Sequence, residues 1–349
     1  MQVGLDTFTI RELNLSAMET LDWLKERGFT GAQFGGLRSL SKDLDPGQLK
    51  QVRTRADSLG LYTDVSIPSC NPHRITGSLD EHRQDVEQQI ALAAECGWHE
   101  LHTAFGGGEE RYVDAVAWTD QLADAAQFIR SLAPVLRSHK SRINIETHGD
   151  VTTFELVRLV EDVGPDIAGI CLDTANVFCQ CEEPTQAARR AAPYVHMTHI
   201  KDAMLTLTNS GVRRQSLPPG RGVLDWRTIL PVLAEFEPNL RLSIEDHKWL
   251  FDFHVFDPHW LRLHPDLTVA EFAAVMQIAW ACQQRVSNGD LPDPETYNAV
   301  PYVDELEDRL KAGRDYLNDL LDRLDLRDRA HVARHGLHRP MVPEDWPIR

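Results

Sequence analysis

Nowhere in the 349 residues does an apolar run reach the roughly 18 positions that a membrane-crossing helix requires. Met1–Ile10 carries neither the basic stretch nor the apolar run of a secretory leader, so a soluble, cytoplasmic protein is expected. Basic charge is scarce: 36 Lys and Arg stand against 53 Asp and Glu, a formal net charge of -17. A phosphate backbone or an anionic membrane surface calls for a concentrated basic face, so neither is an expected partner. Six cysteines are scattered along the chain without a single CxxC pair, and only Cys179 and Cys181 are close neighbours. That spacing argues against a zinc knuckle or a disulfide framework and for reduced thiols packed as small apolar groups. The run Gly106-Gly107-Gly108 lacks the Lys-Ser/Thr pair of a phosphate loop and reads as a tight turn or a lid. No repeat, low-complexity tract or Ser/Gly linker marks a domain boundary.

What is present is a composition close to that of soluble globular chains, 42% hydrophobic and 26% charged, with 15 histidines. Short β-rich runs alternate with amphipathic segments, the pattern of repeated βα units on a parallel sheet. The strand candidates are Val3–Leu5, Ala32–Phe34, Leu61–Ser66, Glu100–Thr103, Ile143–Glu146, Gly169–Leu172, His196–Ile200 and Leu240–Ile244. Helices are expected over Ser16–Arg27, Leu79–Cys96, Thr119–Arg137, Thr152–Val163, Pro184–Ala191 and Trp226–Phe236. Thr152 with Glu155, and Asp225 before Trp226, supply cap chemistry, and Gly28, Gly60, Gly97 and Gly164 fall where left-handed helix ends are wanted. Eight such units predict an α/β fold, a (β/α)8 TIM barrel over residues 1–250. Residues 251–349 form a C-terminal helical extension that completes or covers the barrel and offers an oligomer or partner contact. Within it Trp249–Pro265 reads as a long aromatic loop, Thr268–Arg285 and Tyr302–Leu324 as helices, and His331–Arg349 shows little periodicity.

In such a barrel the reactive groups stand at the C-terminal strand ends. Four consecutive strand candidates deliver Glu146, Asp173, His199 and Glu245 toward one point. Three carboxylates gathered in a desolvated cavity repel one another unless a divalent cation joins them. One oxygen-rich site with a single histidine and room for substrate oxygens suits Mn2+, Co2+, Mg2+ or Fe2+ better than zinc. Such an ion polarises a carbonyl and stabilises the enediolate formed when a neighbouring proton leaves, with Glu146 or Glu245 as the proton-transferring base. His148, two residues past Glu146, shares its face and is an acid/base or substrate-binding candidate. His196 lies an odd number of residues from His199 and is expected to face the other way, in a buried structural role. Lys201 and Asp202 are expected to pair or to line the rim. Asp6, Phe8, Gln33, Asn71, His73, His102 and His247 are further pocket candidates, with Asn71, His102, Asn176, Lys201 and Asp202 taken as substrate-binding. Trp249, Phe251, Phe253, Phe256 and Trp260 offer either a stacking surface or an apolar dock for the C-terminal helices.

The chain resembles the xylose-isomerase-like TIM barrels, the sugar isomerase and epimerase superfamily, over roughly residues 1–250. The likeness rests on Glu146-Thr-His148, Asp173-Thr-Ala-Asn176, His199-Ile-Lys-Asp202, Gly220-Arg-Gly222-Val-Leu-Asp225-Trp226 and Glu245. It implies one divalent ion, usually Mn2+, on Glu146, Asp173, His199 and Glu245, and a small sugar or glycoside as substrate. Gln33 stands where many members carry Glu, and Asn176 where ketose epimerases carry His. The acidic chain lacks the extra histidines and basic groove of the DNA-repair branch. In size and in the Glu-x-His element it is also similar to the large subunits of bacterial C-glycoside deglycosidases. That likeness implies lyase-type cleavage of 3-oxo glycosides, His148 handling the phenol proton, and a small partner subunit in a hetero-oligomer. Isomerase or epimerase action in a homo-oligomer, a dehydratase, and a metal-free sugar-binding protein are the other expectations.

Overall fold

The computed structural model describes residues 1–108, 110–113 and 115–327, the side chain of Val113 excepted. His331, His335 and His338 thus lie outside the described residues. All eight predicted strands form, each shifted by no more than two residues at an end: β1 Gln2–Asp6, β2 Gly31–Gly36, β3 Tyr62–Ser66, β4 Glu100–Thr103, β5 Arg142–Glu146, β6 Ala168–Asp173 and β7 Val195–Ile200, then β10 Arg241–Ile244. They close a parallel barrel in the order β1-β10-β7-β6-β5-β4-β3-β2. Every residue of β6, Ala-Gly-Ile-Cys-Leu-Asp, is buried, because one face fills the barrel and the other meets the helices outside. Parallel register then sets the heights: Glu146 pairs with Cys171, Asp173 with His199, and Ser243 with His199.

Between β7 and β10 the helix expected over Trp226–Phe236 forms, and ahead of it, where no element is expected, the chain builds a hairpin, β8 Asp202–Leu207 and β9 Val212–Leu217. A further strand, β11 Leu250–Phe253, adds to its edge, giving an antiparallel sheet in the order β11-β9-β8. The expected long loop Trp249–Pro265 is therefore corrected to a strand and a short helix, Pro258–Arg262. The 250/251 boundary falls inside β11. At the turn, Gly211 leaves no room for a side chain, since a Cβ there would stand 2.1 Å from the Phe253 carbonyl oxygen.

The expected helix over Thr119–Arg137 divides into Trp118–Ser131 and Ala133–His139, with Pro134, which has no amide hydrogen to give, in the first turn of the second. A helix over Pro46–Leu59 escaped the sequence reading because its buried face is thin, only Leu49, Val52 and Ala56. The Thr152 and Glu155 capping box forms as expected, whereas the Asp225 side chain caps no backbone amide and accepts from the Thr228 hydroxyl at 2.6 Å. Gly28, Gly60, Gly97 and Gly164 all have positive φ, between 68° and 116°. The six cysteines are buried and unpaired.

The C-terminal helices Val269–Ser287 and Tyr302–Arg323 close over the hairpin and the β10 end. Buried Arg309, on the second, grips buried Asp246 through Nε (2.7 Å) and Nη2 (2.6 Å). Among the described residues no helix is long and apolar enough to cross a membrane.

Candidate metal centre

Strand ends assemble the site. Glu146 closes β5, Asp173 closes β6, His199 is the penultimate residue of β7, and Glu245 follows β10 with its amide held by the Ile200 carbonyl at 3.2 Å. All four are buried, and one ligand atom from each lies within 4.8 Å of the others. His199 Nδ1 faces Glu245 Oε2 at 2.9 Å and Glu146 Oε1 at 3.2 Å. Lys201 Nζ lies 2.8 Å from Asp173 Oδ2 and 3.3 Å from Glu245 Oε2, so it pairs with the tetrad and not with Asp202, correcting the expected Lys201–Asp202 pair.

Asp173 serves two purposes. Its Oδ1 accepts from the amides of Ala175 and Asn176, both at 2.9 Å, fixing the turn, while Oδ2 faces the cluster. Asp173 Oδ2, His199 Nδ1 and Glu245 Oε2 are buried atoms near charged neighbours, yet none makes a hydrogen bond of acceptable geometry. Three unsatisfied donor atoms converging in an O3N set are what a divalent cation with two open positions accepts.

Around the tetrad, His102 Nε2 reaches Glu146 Oε2 at 3.0 Å and its Nδ1 meets the Ser66 hydroxyl at 2.8 Å. Gln33 lies 2.6 Å from His199 Nε2, and its own carbonyl oxygen has no partner; exchanging the amide's O and N lets that oxygen accept the imidazole proton and leaves Nδ1 free to ligate. Asp6 Oδ2 stands 3.5 Å from the same nitrogen. Burial opposes ionisation of Glu146, but His199, His148 and His102 outweigh it and hold the carboxyl well below the usual range. Glu245 is likewise held low, burial being overcome by Lys201 and His199. For Asp173 burial prevails over Lys201 and pushes the carboxyl up, and Asp6 is pushed by burial up to about 7. His148 is half-buried; the charges of Glu146, Asp150 and Glu245 outweigh its burial and raise it.

The other predicted residues divide. Asn176 Nδ2 approaches Glu146 Oε1 at 3.5 Å, and His247 Nε2 lies 3.7 Å from Glu245 Oε1. Asp202 turns into its own loop, accepting from the Gly220 amide (2.9 Å), the Leu224 amide (3.2 Å) and Trp226 Nε1 (2.9 Å). Asn71 caps a turn and bonds Gln121 at 3.0 Å, and His73 pairs with Asp124 at 2.7 Å. His196 is half-buried on the opposite side of its strand from His199, against Gly169. Gly106–Gly108 is a turn whose amides at 107 and 108 hold the Glu110 carboxylate, each at 2.8 Å. Of the aromatic segment, Phe253 and Trp260 are buried, while Trp249 is 54% exposed and sets its ring edge-on to Phe8 at 5.4 Å. A groove of about 580 Å³ on the barrel flank shares no lining residue with the tetrad.

Sequence reasoning missed two groups. Cys171, one layer below Asp173, forms a second triad with His102 and His199. Arg214 on β9, buried, donates to Asn176 Oδ1 at 3.0 Å. Period-two alternation along Val212–Leu217 would have shown Arg214 and Ser216 on one face had the hairpin been seen.

The family described as Xylose isomerase-like TIM barrel matches residues 21–253. The chain belongs to that family. A curated relative, 3-oxo-isoapionate decarboxylase of Pectobacterium atrosepticum, is 21% identical over 294 residues, 80% of this chain and 92% of that protein. Among solved structures, L-ribulose 3-epimerase superposes with a TM-score of 0.56 at 20% identity, covering 96% of this chain and 99% of the other. The 3-keto-D-glucoside 4-epimerase of E. coli does so with a TM-score of 0.52 at 16% identity, covering 79% and 99%. At these identities the structures speak for the fold.

Proposed function

We propose that the protein is a divalent-metal-dependent enzyme that isomerises or epimerises a small sugar by removing a proton next to a carbonyl. The observation that carries this reading is the buried tetrad of Glu146, Asp173, His199 and Glu245 with its three unsatisfied atoms. These residues would hold the ion, Mn2+ on the family resemblance with Co2+, Mg2+ or Fe2+ as alternatives, and it would supply positive charge to a carbonyl oxygen as negative charge develops there.

The chain's own residues supply the rest. Strands β6 and β7 separate β5 from β10 in the barrel order, so Glu146 and Glu245 approach from different sides. Both are held ionised, ready to take a proton from either face of a sugar carbon. His102 fixes the free oxygen of Glu146, Lys201 steadies Asp173 and Glu245, and His148 stands beside them as a proton carrier.

A second reading, lyase-type cleavage of 3-oxo glycosides, draws on the exposed Trp249 beside Phe8 and His247, a surface on which an aromatic aglycone can stack. The name of the decarboxylase relative describes bond cleavage and not isomerisation, which favours a lyase reading in general. The deciding experiment is a Mn2+-supplemented panel of free ketoses and 3-oxo glycosides with phenolic leaving groups. Turnover of ketoses alone supports isomerisation, and turnover of glycosides alone supports the lyase. Absence of a stoichiometric divalent ion in protein prepared without chelator would sink both and leave a sugar-binding protein.

A further inference from the structure

Three arginines among the described residues are buried: Arg111, Arg214 and Arg309. Arg111 holds Glu155 at 2.8 Å, and Arg309 holds Asp246. Arg214 has no carboxylate within ion-pair distance among the described residues. Its Nη2 donates to Asn176 Oδ1 at 3.0 Å and approaches Cys179 Sγ at 3.5 Å, its Nη1 meets the Ser216 hydroxyl, and its Nε is buried without any partner. Its neighbour on β9, Arg213, faces the other way and is fully matched by Asp252, at 2.6 and 2.8 Å.

Neutral hydrogen-bond acceptors do not cancel a guanidinium's charge, and a buried charge without a counterion is costly. None of the tetrad carboxylates reaches Arg214: His199 and His102 face Glu146, and Lys201 lies beside Asp173 and Glu245. Another cation, Lys201, lies within electrostatic reach of Arg214, which adds to the positive potential on this side of the site. Asn176 connects the two regions, its Oδ1 on Arg214 and its Nδ2 toward Glu146 Oε1. Arg214 is thus one side chain removed from a ligand of the tetrad.

We infer that Arg214 is the counter-charge for a carboxylate on the substrate, so that the sugar handled by this site is a sugar acid. The inference rests on the proposed tetrad site. A guanidinium presents parallel N–H groups that suit a planar carboxylate. One unmatched positive charge balances a monoanion, whereas a phosphate monoester carries about -1.5 to -2 and would leave charge over.

The test is calorimetric titration of the chelator-treated, metal-free protein with D-glucuronate, D-fructuronate and 5-keto-D-gluconate. D-Glucose, D-fructose and D-fructose 6-phosphate are titrated in parallel. At least one acid is expected to bind about tenfold or more tightly than its neutral counterpart, a preference that shrinks as salt rises from about 0.02 to 0.3 M. Arg214→Met should erase the preference and Arg214→Lys should keep part of it. Removing an unmatched buried charge should leave the melting temperature of Arg214→Met equal or higher, whereas a purely structural arginine would lower it. If no acid outbinds its neutral partner in the wild type, or the phosphate binds tightest, or Arg214→Met retains the preference, the inference fails. Mn2+ stoichiometry measured on wild type and Arg214→Met separates this outcome from failure of the metal reading, because Arg214 is no part of the tetrad.

Discussion

His102 stands behind Glu146, its Nε2 at 3.0 Å from Oε2 and its Nδ1 tied to the Ser66 hydroxyl at 2.8 Å. The ring therefore fixes one carboxylate oxygen and leaves Oε1 to face His199 Nδ1. His102 acts through Glu146 as a positioning residue. His102→Ala should weaken Mn2+ binding about 10–100-fold, and His102→Gln, which keeps a donor on that side, should recover much of it. Competition titration against a metal-sensitive dye measures the change; unaltered affinity in His102→Ala would remove the role.

The tetrad itself makes a sharper demand. Glu146→Gln and Glu245→Gln should fold normally and lose turnover, since on the proposed mechanism each would remove a base and a charged ligand. His199→Ala should lose the ion altogether. Metal content by atomic emission, with circular dichroism as the folding control, checks all three, and a fully active variant among them would overturn the assignment.

Asp150 is buried with neither side-chain oxygen hydrogen-bonded, and burial pushes its carboxyl up to about 7. Between the ordinary carboxylate value and about 7 the folded state holds a proton that the unfolded chain has released. Stability is therefore lost as pH rises through that window, at a limiting rate of about 1.4 kcal/mol per pH unit from this group. Asp150→Asn, which cannot ionise, should be more stable than wild type at pH 8 and nearly equal at pH 4. Urea unfolding at the two values reads the difference; equal pH slopes in the two proteins would contradict it.

Arg309 and Asp246 join the last long helix to the end of β10 by two short hydrogen bonds out of contact with water. Arg309→Met strands Asp246 as a buried, unpaired carboxylate and should cost about 3–5 kcal/mol. The double variant Arg309→Met with Asp246→Leu should regain most of that loss, which thermal unfolding will show.

Gly211 turns the β8–β9 hairpin beneath the backbone of Phe253 and Val255. Gly211→Ala drives a methyl group into those atoms and should cost about 1–3 kcal/mol. Hydrogen exchange should quicken across Val212–Leu217 and Leu250–Phe253 and stay unchanged in the barrel strands.

Much of this molecule was legible in the sequence because it depends on short-range pattern. Runs such as Gly169–Leu172 announce a strand buried on both faces, and in a barrel the residues at the C-terminal strand ends gather at the mouth, so Glu146, Asp173, His199 and Glu245 followed. Lys201 was recognised as a site residue; of the two options for Lys201 and Asp202, pairing or lining the rim, the pairing fails because the chain passes from β7 to β8 between them, Lys201 turning to the tetrad and Asp202 to the 220–226 loop. The hairpin was hidden because β9 carries polar residues such as Arg213 and Gln215 whose partners, Asp252 and Asn298, lie far along the chain, and without β9 the short apolar run of β8 has no partner strand in view. Long-range pairing of that kind leaves no local periodicity. Arg214 was lost with the hairpin.

The β8–β9 hairpin is an excursion between two barrel strands, and its pairing with β11 makes no use of the barrel's register. Apart from Asp202, which holds the 220–226 loop, its strands hang from the barrel through contacts that do not set the register of the strand ends carrying the tetrad. On the proposed function, selection can in this way retune which sugar is admitted while the strand ends that hold the tetrad are inherited unchanged. Libraries aimed at altered substrate preference would be best confined to the strand positions of β8 and β9 beyond Asp202.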